Sequence, residues 1–331
     1  MSRTDTARRV VLLIFLLPLV MGASFCVRTR AVPEELKTQP PVPLSAMVEK
    51  INSYQRQNSL SAQVILQFKD FNRATVGEAK EYPPADGRLF LRRPQKIRLL
   101  IQAPITGSNI ADMATDGEHF QLALTPPTSP HKFIKGTNNK EYRVDLSEVT
   151  DPNLRRAGAL ANIKPQHFTE ALFINPIDKS DPNTIYYLEE HRQIEDDTRP
   201  DRKRNAKVER TYYIVVVLEK QNGSARLMRK FWFDRTQPGT PLVRQQTYEN
   251  GGHLATEIDY RGSLVANGSN EVIAQTITVR RRSDYYAVDV TFKPNTVVIN
   301  GPLEDKLFIL ENTQNLEVVD LDKRAAAIQQ P

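Results

Sequence analysis

The chain has 331 residues, of which 25% are charged and 40% hydrophobic, and its mean hydropathy is -0.47. These values are ordinary for a globular protein and exclude a polytopic membrane protein. The net charge is +6 and the isoelectric point is near 9.3. No stripe of basic residues interleaved with aromatic residues is present, so nucleic acid is not predicted as a partner.

Residues 1–25 have the form of a secretory signal peptide. Arg3, Arg8 and Arg9 precede an almost wholly apolar run, Val10–Val20, and small residues follow it. The run is too short for a comfortable membrane span of about 20 residues. Cys26, the only cysteine, comes soon after it, so a disulfide bond within the chain is excluded.

The position of Cys26 resembles the lipobox of bacterial lipoproteins, where the cysteine is acylated and becomes the mature N-terminus. The box reads Ala23-Ser24-Phe25-Cys26, and Phe25 stands where the pattern has a small residue. The resemblance implies lipidation of Cys26 by palmitate-like chains. Since Val27 follows instead of aspartate, it also implies an outer-membrane lipoprotein facing the periplasm. The alternatives are an ordinary cleaved signal and an uncleaved N-terminal anchor.

A tether and a helix come next. Residues 26–44 contain four prolines and little apolar sequence, which predicts an extended, lipidated tether. Ser45 is the predicted N-cap of a short amphipathic helix over 46–57. Apolar residues recur there at helical spacing: Leu44, Met47, Val48, Ile51 and Tyr54.

Strands follow the helix. The apolar period changes to two, which predicts a half-buried strand with Ile65 as the exception on its outer face. Its inner face carries Leu60, Ala62, Val64, Leu66 and Phe68. Turns at Asp86-Gly87, Pro94 and Asp116-Gly117 separate further strands, which are predicted over 88–92, 97–101 and 120–124.

The middle of the chain reads differently. We predict a loop over 125–140, helices over 152–174 with Pro152 and Pro165 in their first turns, and a mobile charged loop over 193–207. Strands resume near 211–219, 225–234, 242–249, 254–261, 271–281 and 286–292, with hairpin signals at Asn222-Gly223 and Gly251-Gly252. The sequence therefore predicts a mainly β (α+β) fold, with one domain over 45–320 and a C-terminal tail over 321–331.

Catalytic and metal-binding motifs are missing from the sequence. The five histidines are scattered, and neither a G-x-S-x-G elbow nor a phosphate-binding loop is present. Adjacent acidic pairs such as Glu189-Glu190 point to opposite faces of a strand. We therefore predict neither an enzyme nor a metal or other cofactor, although distant residues could still assemble an active site.

The order of elements resembles the lipoprotein-localisation factors LolA and LolB. A helix and an alternating strand are followed by Gly87-Arg88-Leu89-Phe90-Leu91-Arg92-Arg93-Pro94, which is similar to a segment of LolA-type carriers. Two later segments also fit the family, the one over 229–234 and the one over 248–252. The resemblance implies an incompletely closed antiparallel β-barrel, with a helical lid over an apolar cavity.

Several residue roles follow from this resemblance. Arg93 matches the family arginine that holds the lid shut, and a guanidinium suits this task because it has five donors. Ile105 takes the place of a membrane-contacting loop residue. The ligand-cavity candidates are Leu66, Phe68, Leu89, Leu91, Leu99, Ile101 and, on the lid helix, Phe168 and Leu172. The plain alternatives are an exposed strand-end arginine, a buried loop isoleucine and ordinary core packing.

The resemblance implies a lipid-anchored periplasmic binding protein. Such a protein shelters the acyl chains of lipoproteins or phospholipids for outer-membrane localisation. Its partners would be a periplasmic LolA-like carrier and the inner leaflet of the outer membrane. Two other hypotheses remain open: an RseB-like envelope-stress sensor, and a structural envelope lipoprotein without a ligand.

Overall fold

The computed structural model describes residues 32–71, 80–103, 107–125, 131–138, 140, 165–203, 205–221, 223–282 and 284–328. The chain divides into two compact units. The smaller unit contains Ile194–Glu209 and the chain up to Glu35, and the larger contains Leu36–Gln193 and Arg210–Pro331.

Helices are few in the described residues. They are α1 (Leu44–Ser53), which continues into a 3₁₀ turn at Tyr54–Arg56, α2 (Pro165–Leu172) and α3 (Leu321–Ile328). Strands before α2 are β1 Glu34–Glu35, β2 Ser59–Asp70, β3 Lys80–Glu81, β4 Ala85–Arg92, β5 Lys96–Gln102, β6 Asn109–Thr115, β7 His119–Leu124 and β8 Lys132–Thr137. Strands after α2 are β9 Thr184–Asp196, β10 Lys207–Gln221, β11 Ser224–Asp234, β12 Leu242–Tyr248, β13 Leu254–Arg261, β14 Leu264–Val265, β15 Val272–Ile273, β16 Thr276–Arg281, β17 Tyr286–Phe292, β18 Val298–Ile299 and β19 Glu317–Asp320.

One long antiparallel sheet organises the larger unit. Its pairings run β10-β11-β12-β13-β16-β17-β2-β4-β5-β6-β7-β8. β9 lies beside β10 at one end, and β19 pairs in parallel with β8 at the other. No pairing among the described residues joins these two ends, so the sheet is open. The predicted mainly β fold, an incompletely closed antiparallel barrel with helices, is confirmed.

Strand β2 shows why the sequence pattern predicts the sheet. Its apolar residues at every second position are buried, while Gln63 and Ile65 on the other face are exposed. Successive side chains of a strand point to opposite faces, so one face lies in the core and the other in solvent. The exceptional Ile65 is therefore a surface residue, as the alternation predicts.

Two predicted loops or turns are wrong. β8 lies within the predicted loop over 125–140 and buries Phe133 and Ile134 between β7 and β19. The predicted charged loop over 193–207 is present between β9 and β10, but its first four residues belong to β9 and its last residue begins β10. Asp86-Gly87 lies within β4, not in a turn before it. The short apolar run of β8 and the charged, largely exposed sequence of β9 hide both strands from a search for alternation.

Helix α1 begins differently from the prediction. It starts at Leu44 with Pro43 as its N-cap, and Ser45 makes no capping hydrogen bond. The Pro43 carbonyl accepts bonds from the amides of Ala46 and Met47 at 3.1 and 3.3 Å. Backbone bonds, not a serine side chain, therefore satisfy these two amides of the first turn.

The segment before α1 is held by the domain. The Gln39 amide donates to the Arg235 carbonyl at 2.7 Å, and the Val42 amide donates to the Tyr213 hydroxyl at 3.2 Å. Arg235 also donates to the Gln39 carbonyl at 2.8 Å. Part of the predicted tether therefore lies against the sheet.

The C-terminal region crosses the outer side of β4, β5 and β6. Arg92 donates to the Leu303 carbonyl at 2.6 Å, and Arg98 donates to the carbonyls of Leu307 and Ile309, both at 3.1 Å. Phe308 is fully buried beneath this crossing. The predicted tail then contains helix α3, whose first residue packs into the core.

The smaller unit contains an ion-pair cluster formed by Glu34, Asp197 and Arg199. Glu34 pairs in parallel with Val208, and Arg199 binds two carboxylates, those of Glu34 at 2.6 Å and Asp197 at 2.7 Å. The hydrogen bonds from Arg199 lower the pKa of Asp197 to about 2. This ion-pair cluster fixes the chain at Glu34, eight positions after Cys26.

Candidate functional site

The inner face of the sheet carries a continuous apolar core. All eight ligand-cavity candidates belong to it and are at most 9% exposed: Leu66, Phe68, Leu89, Leu91, Leu99, Ile101, Phe168 and Leu172. The same core contains residues of β6, β7, β13, β16 and β17. The structure therefore brings these candidates together as one packed interior.

Helix α2 covers this core on the inner face of the sheet. Phe168, Ala171 and Leu172 are buried in it, and the helix lies against β5, β6 and β16. Apolar residues at intervals of three and four positions give a helix one apolar face. This face accounts for the packing of α2 onto the sheet.

The chain that follows α2 crosses from this core to a second one. We call Phe173–Ile177 the crossing segment. Phe173 lies in the first core, whereas Ile174 and Ile177 lie in a second core with α1 and strands β10, β11 and β12. The crossing segment has no strand pairing, so its backbone polar groups need other partners.

Arg93 supplies one of these partners. Its Nη2 donates to the Ile174 carbonyl at 3.2 Å, and it also donates to two carbonyls at the end of α1, Tyr54 at 3.2 Å and Gln57 at 2.9 Å. The guanidinium lies 4.7 Å from the centre of the Phe173 ring. A single side chain thus connects β4, the end of α1 and the crossing segment.

Arg229 on β11 binds the next two carbonyls. It donates to Asn175 at 2.7 Å and to Pro176 at 2.8 Å. Together, the two arginines bind the carbonyls of three consecutive residues. The crossing segment is therefore held by guanidinium groups from opposite parts of the sheet.

Two neutral side chains complete the set. The Asn52 amide forms two hydrogen bonds with the Ile177 backbone, at 3.0 and 2.8 Å. The Tyr260 hydroxyl donates to the Ala171 carbonyl at 3.0 Å. We call these four residues the clasp: Asn52, Arg93, Arg229 and Tyr260.

Burial shifts the pKa values of three clasp residues. It lowers the pKa of the Arg93 and Arg229 guanidiniums, although the Glu170 carboxylate opposes this effect at Arg229. It also raises the pKa of the Tyr260 hydroxyl, which therefore stays a neutral donor. Within the described residues, neither arginine forms an ion pair with a carboxylate.

Arginines on the outer face are paired differently. Arg244 bonds to Asp259 at 2.7 Å, and Arg280 bonds to Glu257 at 3.3 Å. These pairs cross strands β12, β13 and β16 on the solvent side of the sheet. The two clasp arginines differ from these, since their partners are backbone carbonyls: both bind the crossing segment, and Arg93 also binds the end of α1.

A surface pocket of about 620 Å³ lies away from this interior. It lies at the ends of two hairpins and is lined by Gln221, Ala225, Arg226, Leu227, Asn250, Gly251 and Gly252. It contains none of the predicted site residues. The interior candidates are thus buried against one another and do not line this pocket.

Two predicted site residues, Cys26 and Ile105, lie outside the described residues. Among the residues that are described, no group of His, Cys, Asp and Glu side chains could hold a metal ion. None of the described helices combines the length and the apolar character needed to cross a membrane.

Sequence reasoning identified Arg93 but missed the other clasp residues. Arg229 shares strand parity with Phe231 and Phe233, both fully buried, so its inward direction was readable from the alternation. Asn52 and Tyr260 gave no comparable signal, because their bonds join positions 125 and 89 residues apart.

The fold and the interior define a class: a mainly β protein with an open antiparallel sheet, covered on its inner face by a helix. No known protein-family profile matches the chain. Peptidoglycan D,D-transpeptidase MrdA of Escherichia coli K12 is 30% identical over 86 residues, which is 25% of this chain. The chain spans 14% of the length of this curated relative.

Solved structures with a similar chain path include three bacterial proteins. A LolA superfamily protein from Nitrosomonas europaea is 13% identical and covers 82% of this chain and 99% of its own, with a TM-score of 0.39. A DUF1329 family protein from Desulfovibrio piger is 11% identical, with coverages of 83% and 99% and a TM-score of 0.42. A domain described as an outer membrane lipoprotein-sorting protein, from Vibrio parahaemolyticus, is 12% identical, with coverages of 79% and 95% and a TM-score of 0.39. These TM-scores are low, so the fold assignment rests on the strand pairings of this chain.

Proposed function

We propose that this protein is a lipid-anchored periplasmic binding protein that shelters the acyl chains of lipoproteins or lipids for outer-membrane localisation. Helix α2 and the crossing segment form its lid, and Arg93 is the latch. The anchor is Cys26, which places the protein on the inner leaflet of the outer membrane. Ile105 contacts the membrane during delivery, and a periplasmic LolA-like carrier supplies the cargo. The protein is a carrier or receptor and not an enzyme.

One observation supports this proposal most directly. The chain that covers the apolar interior is held by side chains on its carbonyls and not by strand pairing. Hydrogen bonds to charged groups contribute about 1.5–3 kcal/mol each. Such a set can be broken and remade without unfolding the sheet, because no strand pairing is lost.

The energetics favour an acyl chain as the replacement for the lid. Each buried CH₂ group contributes about 0.8 kcal/mol, so a chain of sixteen carbons gains on the order of 12 kcal/mol. Displacing this lid exposes five large apolar side chains that cost about 1.5–3 kcal/mol each: Phe168, Leu172, Phe173, Ile174 and Ile177. One acyl chain therefore roughly offsets this cost, and a lipid with two or three chains more than offsets it.

The packed interior also favours a second candidate. The eight lining candidates are buried with the lid in place. A structural envelope lipoprotein without a ligand would have this same filled core. The two candidates differ in whether a long-chain lipid enters the interior at all.

Exchange of a fluorescent fatty acid tests the latch. Arg93→Leu removes the bonds to α1 and the crossing segment, so we expect the release rate to rise roughly tenfold, equivalent to about 1.4 kcal/mol. Arg92→Leu is the matched control, because the neighbouring arginine binds Leu303 on the outer side. An unchanged release rate in Arg93→Leu would argue against the latch. A wild-type protein that binds no fatty acid would support the structural alternative.

A further inference from the structure

The two clasp arginines point to a binding site for the charged end of a ligand. We propose that Arg93 and Arg229 together bind the anionic headgroup, phosphate or carboxylate, of an amphiphile whose acyl chain lies in the interior. This inference rests on the proposed function and specifies the class of lipid that the protein selects.

The arginines are placed to bind one group together. Their donors reach the carbonyls of Ile174, Asn175 and Pro176. Consecutive Cα atoms are about 3.8 Å apart, so Arg93 on Ile174 and Arg229 on Asn175 donate to the carbonyls of directly neighbouring residues. One headgroup that replaces these carbonyls can accept hydrogen bonds from both side chains.

This site carries an excess of positive charge, because the Glu170 carboxylate acts on Arg229 and no such effect is seen at Arg93 among the described residues. Both arginines are half-buried, and within the described part of the chain neither forms an ion pair. Carbonyl oxygens satisfy the N–H donors but carry no net charge. When the crossing segment lifts, two cations remain at the edge of an apolar core, and an anion is the ligand that they favour.

A buried aromatic ring lies beside each guanidinium, one in the first core and one in the second. Phe173 lies 4.7 Å from Arg93, and Phe231 lies 5.3 Å from Arg229. A ligand bound here has its charge on the arginines and its chain along buried apolar side chains. This polarity matches an anionic lipid. Free phosphate fits it less well, because phosphate has no apolar part to place along the buried side chains.

Oleate and oleyl alcohol form a matched pair of probes, because they share one chain and differ in the charge of the headgroup. We expect the wild-type protein to bind oleate at least tenfold more tightly at pH 8. Arg229→Gln should reduce this preference to less than threefold while oleyl alcohol still binds. Arg226→Gln, on the same strand but paired with Glu219 at 2.7 Å, should keep the full preference.

Arg229→Lys is the control for a folding defect in Arg229→Gln, since lysine keeps the positive charge. We expect it to prefer oleate more than Arg229→Gln does, with a melting temperature near that of the wild type. Equal binding of both probes by the wild-type protein would overturn the headgroup site but leave the proposed function standing. Binding of neither probe would overturn both. Competition by inorganic phosphate at the concentration that oleate requires would make this a free-anion site and also overturn the proposal.

Discussion

At the scale of single residues, the crossing segment depends on donors that are distant in sequence. Its carbonyls accept bonds from Arg93 and Arg229, and its end is fixed by Asn52. A buried carbonyl that loses its donor costs about 1–3 kcal/mol. Each clasp residue therefore affects stability as well as opening, and the two effects need separate measurements.

Tyr260→Phe tests a neutral member of the clasp. The change leaves the Ala171 carbonyl without its hydroxyl donor, so we expect the free energy of unfolding to fall by about 1–2 kcal/mol in urea. Tyr248→Phe is the control, because the Gln246 side-chain oxygen that accepts from its hydroxyl keeps a second donor, Trp232 Nε1 at 3.0 Å, so the change should affect stability by less than about 0.5 kcal/mol. Equal effects of the two variants would contradict the assignment.

Asp197 gives a prediction about pH. Its pKa in the folded protein is about 2, below the ordinary value of 3.8, because Arg199 donates hydrogen bonds to the carboxylate. Because the pKa is lower in the folded protein, the ionised Asp197 carboxylate contributes its full stabilisation of the fold above about pH 4. This contribution is lost as the pH falls toward 2. NMR titration of the Asp197 carboxyl should show this pKa.

Variants of its partners provide the control. Arg199→Gln should return the pKa of Asp197 toward 3.8, whereas Arg202→Gln, whose nitrogen is 3.8 Å away, should change it less. A normal pKa for Asp197 in the wild-type protein would show that the ion pair does not form in solution.

At the scale of elements, Gly87 limits how closely β4 can pack. A Cβ atom at this position would lie 2.8 Å from the Leu100 carbonyl oxygen of the neighbouring strand. Gly87→Ala should therefore destabilise the fold by about 1–3 kcal/mol in urea denaturation. Gly301→Ala is the comparison, since its Cβ would meet only a Val298 methyl group at 3.0 Å and should cost less. A neutral Gly87→Ala would mean that the strands can separate locally.

Elements with a clear alternation were predictable, and edge elements were not. β2 buries one face and exposes the other, so its sequence shows the period of two. β9 lies at the end of the sheet and is largely exposed, which removes the apolar signal. β8 is short and follows a proline-rich stretch. It is a strand because it pairs with β7 and β19. Pairing that is decided by distant strands leaves little trace in the local sequence.

At the scale of the whole molecule, the sheet is open while the interior on its inner face is packed. The sheet has two ends, at β9 and β19, and the inner core is closed by α2. The resemblance predicted the open antiparallel sheet with helices, and this fold is confirmed, whereas the latch role of Arg93 stays a prediction. The resemblance could not predict that Arg229 binds the carbonyls of Asn175 and Pro176, because these bonds depend on where β11 and the crossing segment meet in the fold.

Photo-crosslinking tests the central claim most directly. A palmitate analogue with a diazirine at the end of its chain would be bound, irradiated and mapped by mass spectrometry. The proposed function predicts labels on interior residues such as Leu89, Leu99 and Phe168, and competition by unlabelled palmitate. Labels confined to outer-face residues such as Trp232, or no label that palmitate competes away, would contradict it.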